Sequence, residues 1–410
     1  MSMTRRDFIK SSAAASGLAA GFYPILSCYA KTQPNQNQFL KAPPFPKSNT
    51  TSKVFIEGVI RNPAIPLIET ALRNAAESAT DFSWLSKDDS VLIKPVNNSG
   101  GKYPATTHPE SIAFMIKLLR EKGAGRVIVS DMAGVQHVKL TKNSLKGSTR
   151  NLMKKNGIFQ SAVSAGAEVY FPEETGWDAF FEDGPQKGTC WKNGIMVPKI
   201  LNEVDHIILM PRASRHVLAG CTLGLKAAVG YIRHDSRLEY HHDASTFFEK
   251  HVGINTVPAI RNRLRLVITT ATKMFITFGP DTGKVYEPET GLVIASTDIT
   301  AHDMVSHAWL DMGRDKDPAG CPLIITDPHE NADWTVDMMN RAVVYMLGGI
   351  SEARTAQVLK RHGSGSIWND PTLNAAFRIF GTIPDISLLN PTGLIPEEIM
   401  KQLEARVSVV

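Results

Sequence analysis

The chain has 410 residues, 43% of them apolar and 21% charged, with a formal charge of +5. Those proportions belong to a soluble globular protein with a sizeable core, and no segment past the first thirty residues has an apolar run long enough to span a bilayer. Arg5, Arg6, Lys10 and Asp7 together carry a net +2 of that charge, so the remaining field is too weak to attract nucleic acid and any anion site must be local.

The first thirty residues read as a twin-arginine export signal. Arg5-Arg6 sits in Thr4-Arg5-Arg6-Asp7-Phe8-Ile9-Lys10, a small-residue apolar stretch runs from Ser11 to Ala30, and Cys28-Tyr29-Ala30 offers a cleavage site. The alternative is a chance arginine pair at a disordered terminus. The expected partner during export is the twin-arginine translocase and the expected destination is periplasmic or otherwise extracytoplasmic. That route carries folded proteins, so it permits a cofactor without proving one. Ile25-Leu26-Ser27-Cys28 also resembles a lipoprotein box, although Leu26 fits it poorly, which leaves a lipid anchor at Cys28 as the lesser reading.

Residues 31–52, rich in Gln, Asn, Pro, Lys and Ser, read as an exposed tether, and the fold is expected to begin near Val54. From there apolar β-rich runs alternate with helical patterns. Strands are expected at 54–60, 91–96, 126–131, 168–171, 206–210, 264–270 and 292–296. Helices are expected at 66–79, 109–122, 300–311, 332–347 and 351–361. This is βαβ grammar: an α/β fold with a mostly parallel sheet flanked by helices, one domain or two lobes with a cleft between them. A strand apolar on both faces, such as Val91-Leu92-Ile93, suits a sheet covered on both sides. Residues 53–315 form the expected main domain, 173–198 a loop or hairpin insertion, and 316–410 a helical extension packed on it.

Cys190, Cys221 and Cys321 would remain in a mature chain, with no Cys-x-x-Cys pair, which argues against an iron–sulfur cluster, a zinc ribbon or a disulfide framework. Buried thiols are the simpler reading.

The chemistry concentrates between Pro211 and Asp243, where Arg212, Arg215, His216, Lys226, Arg233, His234, Arg237, His241 and His242 surround Gly220, Gly224 and Gly230. The segment follows an apolar strand and so emerges at its carboxyl end, where open α/β sheets place ligands. Glycines let backbone approach a ligand closely, and clustered Arg and Lys favour phosphate or carboxylate, so a small anionic ligand is implied. The alternative is a solvated helix face with Asp235, Glu239 and Asp243 as partners. Gly220 to Lys226 lacks the spacing and the Ser or Thr of a nucleotide P-loop.

Two further loops join this segment. After the strand at Val91, Lys94, Asn97, Asn98, Thr107 and His108 can offer donors to an oxyanion, with the amino end of the helix after Pro109 beside them. At the end of the next strand lies Asp131 to His137. Asp298 and Asp303 could bind a metal, with Asp298 as a helix N-cap the simpler role. His241-His242-Asp243 could also bind one, but neighbouring side chains on a helix point about 100° apart, so only one of the two histidines is expected inside. Asp327-Pro328-His329-Glu330 looks like a turn and helix start.

Ile93-Lys94-Pro95, Thr107-His108-Pro109-Glu110, Arg215-His216 to Gly230, Phe278-Gly279-Pro280 and Ile294-Ala295-Ser296-Thr297-Asp298 resemble the uncharacterised family 362 of domains of unknown function, over most of residues 52–315. Many of its members carry ferredoxin-type cysteines that this chain lacks.

His216-Val217-Leu218-Ala219-Gly220, then Gly224-Leu225-Lys226, then a histidine, is also similar to lactate racemases that use a nickel pincer nucleotide. That resemblance implies His137 and His216 as catalytic acid/base residues, Lys226 as the cofactor attachment, Arg215, Gly220 and Gly224 beside it, and His242 as the nickel ligand. The chain departs from that pattern at Leu223-Gly224 and Val229-Gly230, and Lys94-Pro95-Val96-Asn97 replaces the racemase Asp-x-Thr-Arg motif, so carboxylate recognition by that arginine does not carry over. Two functions stay open: an isomerase or oxidoreductase acting on a small oxyacid, and a periplasmic binding protein that holds an anion without chemistry.

Overall fold

Three consecutive apolar residues with no exposed surface recur at the centre of this protein: Val91, Leu92 and Ile93 in one strand, Val127, Ile128 and Val129 in the next. A strand buried on both faces needs cover on both faces, and each such Val, Leu or Ile contributes about 1.5–3 kcal/mol on burial. The computed structural model describes residues 43–277, 279–316, 333–360 and 366–408. The expected signal and most of the expected tether lie outside them, as do Cys28, Phe278, Cys321 and the turn expected at Asp327–Glu330.

The elements that position the site are β1 (Lys47–Ile60), α1 (Ile65–Ala79), β2 (Ser90–Pro95), α2 (Pro109–Glu121), β3 (Arg126–Ser130), β4 (Glu168–Tyr170), β5 (His206–Met210), β6 (Ser214–His216), β7 (Gly220–Thr222), α3 (Gly224–Ala227), α4 (His234–His242), α5 (Phe247–Gly253), β8 (Leu264–Ala271), β9 (Met274–Phe275), β10 (Val285–Tyr286), β11 (Thr290–Ser296), α6 (Ile299–Lys316), α7 (Asp333–Gly348), α8 (Pro371–Phe380), β12 (Ile383–Leu389) and α9 (Glu397–Val407). Eight strands form one sheet in the order β12-β1-β11-β8-β5-β2-β3-β4. Only β11 runs against its neighbours; the remaining pairings along the sheet are parallel. The fold is thus the expected α/β class.

Alternation along the strands divides the core. Val91, Ile93, Val127 and Val129 face α1 and α2, among Leu72, Ile112, Met115 and Leu119. Leu92 and Ile128 face the other side, among Val197, Leu201, Ile232 and Ile254. Near the antiparallel strand, Leu292 and Ile294 pack with Met304, Val305 and Leu310 of α6 and with Phe377 and Leu403. A second, four-stranded sheet in the order β7-β6-β9-β10 stands off the main one. The insertion at 173–198 contains the expected hairpin, Phe180–Asp183 paired with Ile195–Pro198.

Three expectations need correction. The tether does not extend to residue 52, because β1 begins at Lys47 and Thr51 to Phe55 pair with Asp385 to Leu389. The region after 316 is not a helical add-on: β12 is an edge strand of the main sheet, and Leu40–Val410 forms one compact unit. The two lobes are therefore one large sheet carrying a small one. The N-cap reading of Asp298 agrees with the structure, where its Oδ1 accepts from the amides of Thr300 (2.8 Å) and Ala301 (3.1 Å). Among the described residues no helix is long and apolar enough to cross a membrane.

Ile294 has no exposed surface and sits between β1 and β8. Ile294→Ala is expected to cost about 2–5 kcal/mol through the cavity it leaves. Denaturant unfolding monitored by circular dichroism reads this directly, and a loss under about 1 kcal/mol would contradict the assigned burial.

Candidate active site at the carboxyl edge of the sheet

Three neighbouring parallel strands end on the same edge, β5, β2 and β3, and the first residues beyond their apolar cores are polar. Lys94 lies near the end of β2, Asp131 follows β3 and Arg212 follows β5. Lys94 Nζ lies 2.9 Å from Asp131 Oδ1, with both side chains buried. Asp131 Oδ1 also accepts from the Met132 amide (2.9 Å) and Oδ2 from the Asn97 amide (2.6 Å), so one carboxylate ties two strand ends together. Gly230 closes over the pair; a Cβ there would collide with the Asp131 carboxylate and stand 2.6 Å from Lys94 Nζ.

Arg237 on α4 secures the same loop, donating to the carbonyls of Ala133 (2.6 Å), Met132 (3.0 Å) and Ile232 (3.0 Å). Arg212 differs. Its Nη1 reaches the carbonyls of Pro104 and Ala105, but Nε and Nη2 have no partner although the residue is almost fully buried. Unpaired buried donors are costly, which makes this guanidinium a strong point of attraction for an oxyanion.

Lys226 occupies α3, beside these cations, and makes no hydrogen bond or ion pair with any described residue. Burial, reinforced by Arg212, Arg237 and Lys94 and opposed by Asp281, pulls its amine down to about 7. Half of it is then neutral near pH 7. Three histidines share its field. Burial, with Lys226 and Arg212 adding to it, holds His216 well below its usual range, and burial takes His241 to about 4 and His251 to about 3.

The histidines are neutral, and their partners decide their tautomers. His216 Nδ1 accepts from the amides of Leu218 (3.1 Å) and Ala219 (3.2 Å), which puts the ring proton on Nε2. His216 so held presents an N–H, suited to donating to an oxyanion rather than to exchanging protons. His241 is set the other way. Asn340 donates through Nδ2 to the His241 carbonyl (2.8 Å), so its Oδ1 accepts from His241 Nδ1 (2.8 Å) and the Nε2 lone pair stays open. His251 Nε2 is buried without a partner.

His137 reaches the cluster through Asp281, whose Oδ2 lies 3.4 Å from His137 Nε2 and 2.6 Å from Gln136 Nε2, while Asn98 holds Oδ1. Against its own burial, His137 and Arg212 hold the Asp281 carboxyl below the ordinary range. The structure thus gathers Lys226, His216, Arg212, Lys94, Asp131 and, through Asp281, His137.

Other expected site residues go elsewhere. His242 is not with Lys226: Nδ1 lies 3.1 Å from Asp243, and Nε2 faces Thr355 (3.1 Å) and Glu352 (3.6 Å). One residue back on α4 the helix turns about 100°, and His241 takes the inward place instead. Arg215 points to the opposite face of β6, against Asp311 (2.5 Å). Gly224 serves contact with α6: its amide and that of Leu225 bind the Asp303 carboxylate at 2.8 and 2.7 Å, and a Cβ would stand 2.8 Å from Asp303 Oδ1. Asp303 is thereby a cap rather than a metal ligand. Gly220 supplies the positive φ of 77° in the β6–β7 hairpin.

Thr107 is internal too, its hydroxyl donating to the Met210 carbonyl (2.6 Å) and accepting from the Val96 amide (2.8 Å). His108 caps α2, with Nδ1 accepting from the Ser111 amide (3.3 Å). Asn97 braces the loop through Asn156 (2.5 Å), although its Nδ2 has no partner. Asp281 and His251 were missed by sequence reasoning. Asp281 directly follows the Gly279-Pro280 turn, which could have signalled it; nothing around His251 distinguishes it from a core histidine.

An α/β protein with a basic, incompletely paired cluster at the carboxyl edge of a parallel sheet is the class that fold and site define. The family model for a domain of unknown function (DUF362) matches residues 91–308, more than half of the chain, and the chain belongs to that family. No curated protein matches it. Among solved structures the chain is similar to a Thermotoga maritima protein determined by a structural genomics consortium, at 14% identity and a TM-score of 0.33, covering 57% of both chains. It is also similar to the lactate racemase apoprotein of Thermoanaerobacterium thermosaccharolyticum, at 11% identity and a TM-score of 0.38, covering 64% of this chain and 61% of that one. The chain thus spans less than two thirds of either structure.

The lowered Lys226 amine has a direct readout. Labelling with trinitrobenzenesulfonate across pH, followed by peptide mapping, should give a midpoint near 7 for Lys226, about three units below exposed lysines. As pH rises through 7 the amine loses its proton and becomes reactive; a midpoint near 10 would refute its desolvated, cation-flanked setting.

Proposed function

We propose that this protein is an enzyme acting on a small oxyacid at the Lys226 cluster. The observation that carries this reading is an unpaired Lys226 amine of lowered basicity among buried cations that include two unpartnered nitrogens of Arg212, Nε and Nη2. An anion would satisfy Arg212, and the His216 N–H would share the developing charge on its oxygen. Lys226, half neutral near pH 7, is suited to take a proton from the bound acid or to bond covalently to an electrophile. A binding protein needs the donors but not the neutral amine.

A nickel pincer nucleotide fits part of this arrangement. Lys226 would carry it, and the open His241 Nε2, with His251 nearby, would offer lone pairs for the metal in place of His242. Such a group, when bound, supplies a hydride acceptor. The chain's own contribution is to hold the oxyacid on Arg212 and His216 and to keep Asp281 ionised beside His137.

The test uses protein purified from the organism that makes it. Chiral chromatography after incubation with D- or L-lactate and other 2-hydroxy acids should show interconversion or oxidation of one of them, lost by about 10²-fold or more in Lys226→Met. Intact mass would reveal any group on Lys226. An oxyacid that raises the Tm but is never converted, with binding unchanged in Lys226→Met, would establish the binding-protein reading and sink the enzyme.

Export by the twin-arginine translocase to the periplasm belongs to the same proposal and rests on Arg5-Arg6 and the residues beside it. Replacing both with Lys should leave full-length precursor in the cytoplasm on fractionation and immunoblotting. Efficient export of that variant would remove the assignment.

A further inference from the structure

The face of the β6–β7 hairpin that turns away from Lys226 holds a second polar cluster, and its composition differs from the first. Arg215 and Cys221 are paired across the hairpin, so their side chains share one face, while the His216–Gly220 pair shares the other. Cys221 meets His307 from α6 and Asp370 at the N-cap of α8. One ligand atom from each of the three lies within 4.8 Å of the others, and all three residues are buried.

Each of the three is oriented by a further contact. Asp370 Oδ1 accepts from the Leu373 amide (2.9 Å), which leaves Oδ2 facing His307 Nε2 at 3.2 Å. His307 Nδ1 lies 3.0 Å from Asp311 Oδ2, and Asp311 Oδ1 is held by Arg215 at 2.5 Å. A carboxylate on the far nitrogen of an imidazole is the arrangement that fixes a metal-binding histidine, directing its other nitrogen at the ion. The residue types match as well: one sulfur, one imidazole and one carboxylate suit a borderline-soft divalent ion, and calcium or magnesium would want oxygen alone.

We propose that Cys221, His307 and Asp370 bind a divalent transition metal of the zinc class, at a site separate from Lys226. The ion would clamp three elements distant in sequence, the hairpin, α6 and α8, and so brace the hairpin whose other face carries His216. The ion would bind whether or not Lys226 acts on an oxyacid.

The test uses the full-length protein in a Cys190→Ser background, because Cys190 is exposed and would bind metal adventitiously. Protein stripped with chelator and refilled with Co²⁺ should take up about one ion per chain and show the near-ultraviolet charge-transfer band of a cobalt thiolate. Zn²⁺ should displace it, raise the Tm and protect Cys221 from alkylation. Cys221→Ser, close in size, should lose the band. Asp370→Asn, which keeps the capping oxygen for Leu373, should weaken binding at least tenfold. Lys226→Met should leave uptake and band unchanged, which separates this site from the proposed active site. Absence of uptake, or a band that persists in Cys221→Ser, would overturn the proposal and leave His307 as a bridge between two aspartates.

Discussion

The Lys94–Asp131 ion pair is the interaction on which the rest of the site depends. It is buried where two parallel strands end, and its charges are paid for by neighbours: Asp131 takes two backbone amides besides the ammonium, and Lys94 also donates to the Pro95 carbonyl (2.8 Å). Loss of one partner from a buried pair typically costs about 3–5 kcal/mol, because the survivor keeps an uncompensated charge. The pair thereby holds the ends of β2 and β3 together, demands glycine at 230 and places a cation near Lys226 that helps to lower the basicity of its amine.

The β6–β7 hairpin then divides two chemistries with a period of two. His216 turns to the Lys226 side, where nitrogen donors and lone pairs stand incompletely paired among buried cations. Arg215 and Cys221 turn to the other side, where opposite charges are matched. Adjacent residues of one strand cannot serve the same site, which is why Arg215 and His216, read together as one basic motif, belong to different clusters. On α4 the same principle acts with a different angle and separates His241 from His242.

Much of the fold was legible because apolar runs of strand length buried on both faces leave few alternatives to a helix-covered parallel sheet. The strand at His206–Met210 and the cap at Asp298 were readable residue by residue. Two regions were not. The β12 edge strand depends on pairing with β1, more than three hundred residues away, and its own sequence, Ile383 to Leu389, carries no sign of that partner. The parallel pairing of β6 with β9 is likewise a matter of long-range register, invisible among the basic residues that drew attention to the segment.

By itself the sequence determined the class of fold, the edge of the sheet where polar residues would gather, and the concentration of Lys, Arg and His between 211 and 243, since burial of apolar strands and local charge composition are properties of neighbouring residues. Tertiary structure alone decided which of those side chains meet. Direction along strand and helix turned Arg215 and His242 away and His241 inward, and packing from distant segments brought Asp281 and His251 to Lys226. Proton positions on His216 and His241 followed from backbone and Asn340 contacts that exist only once the chain is folded.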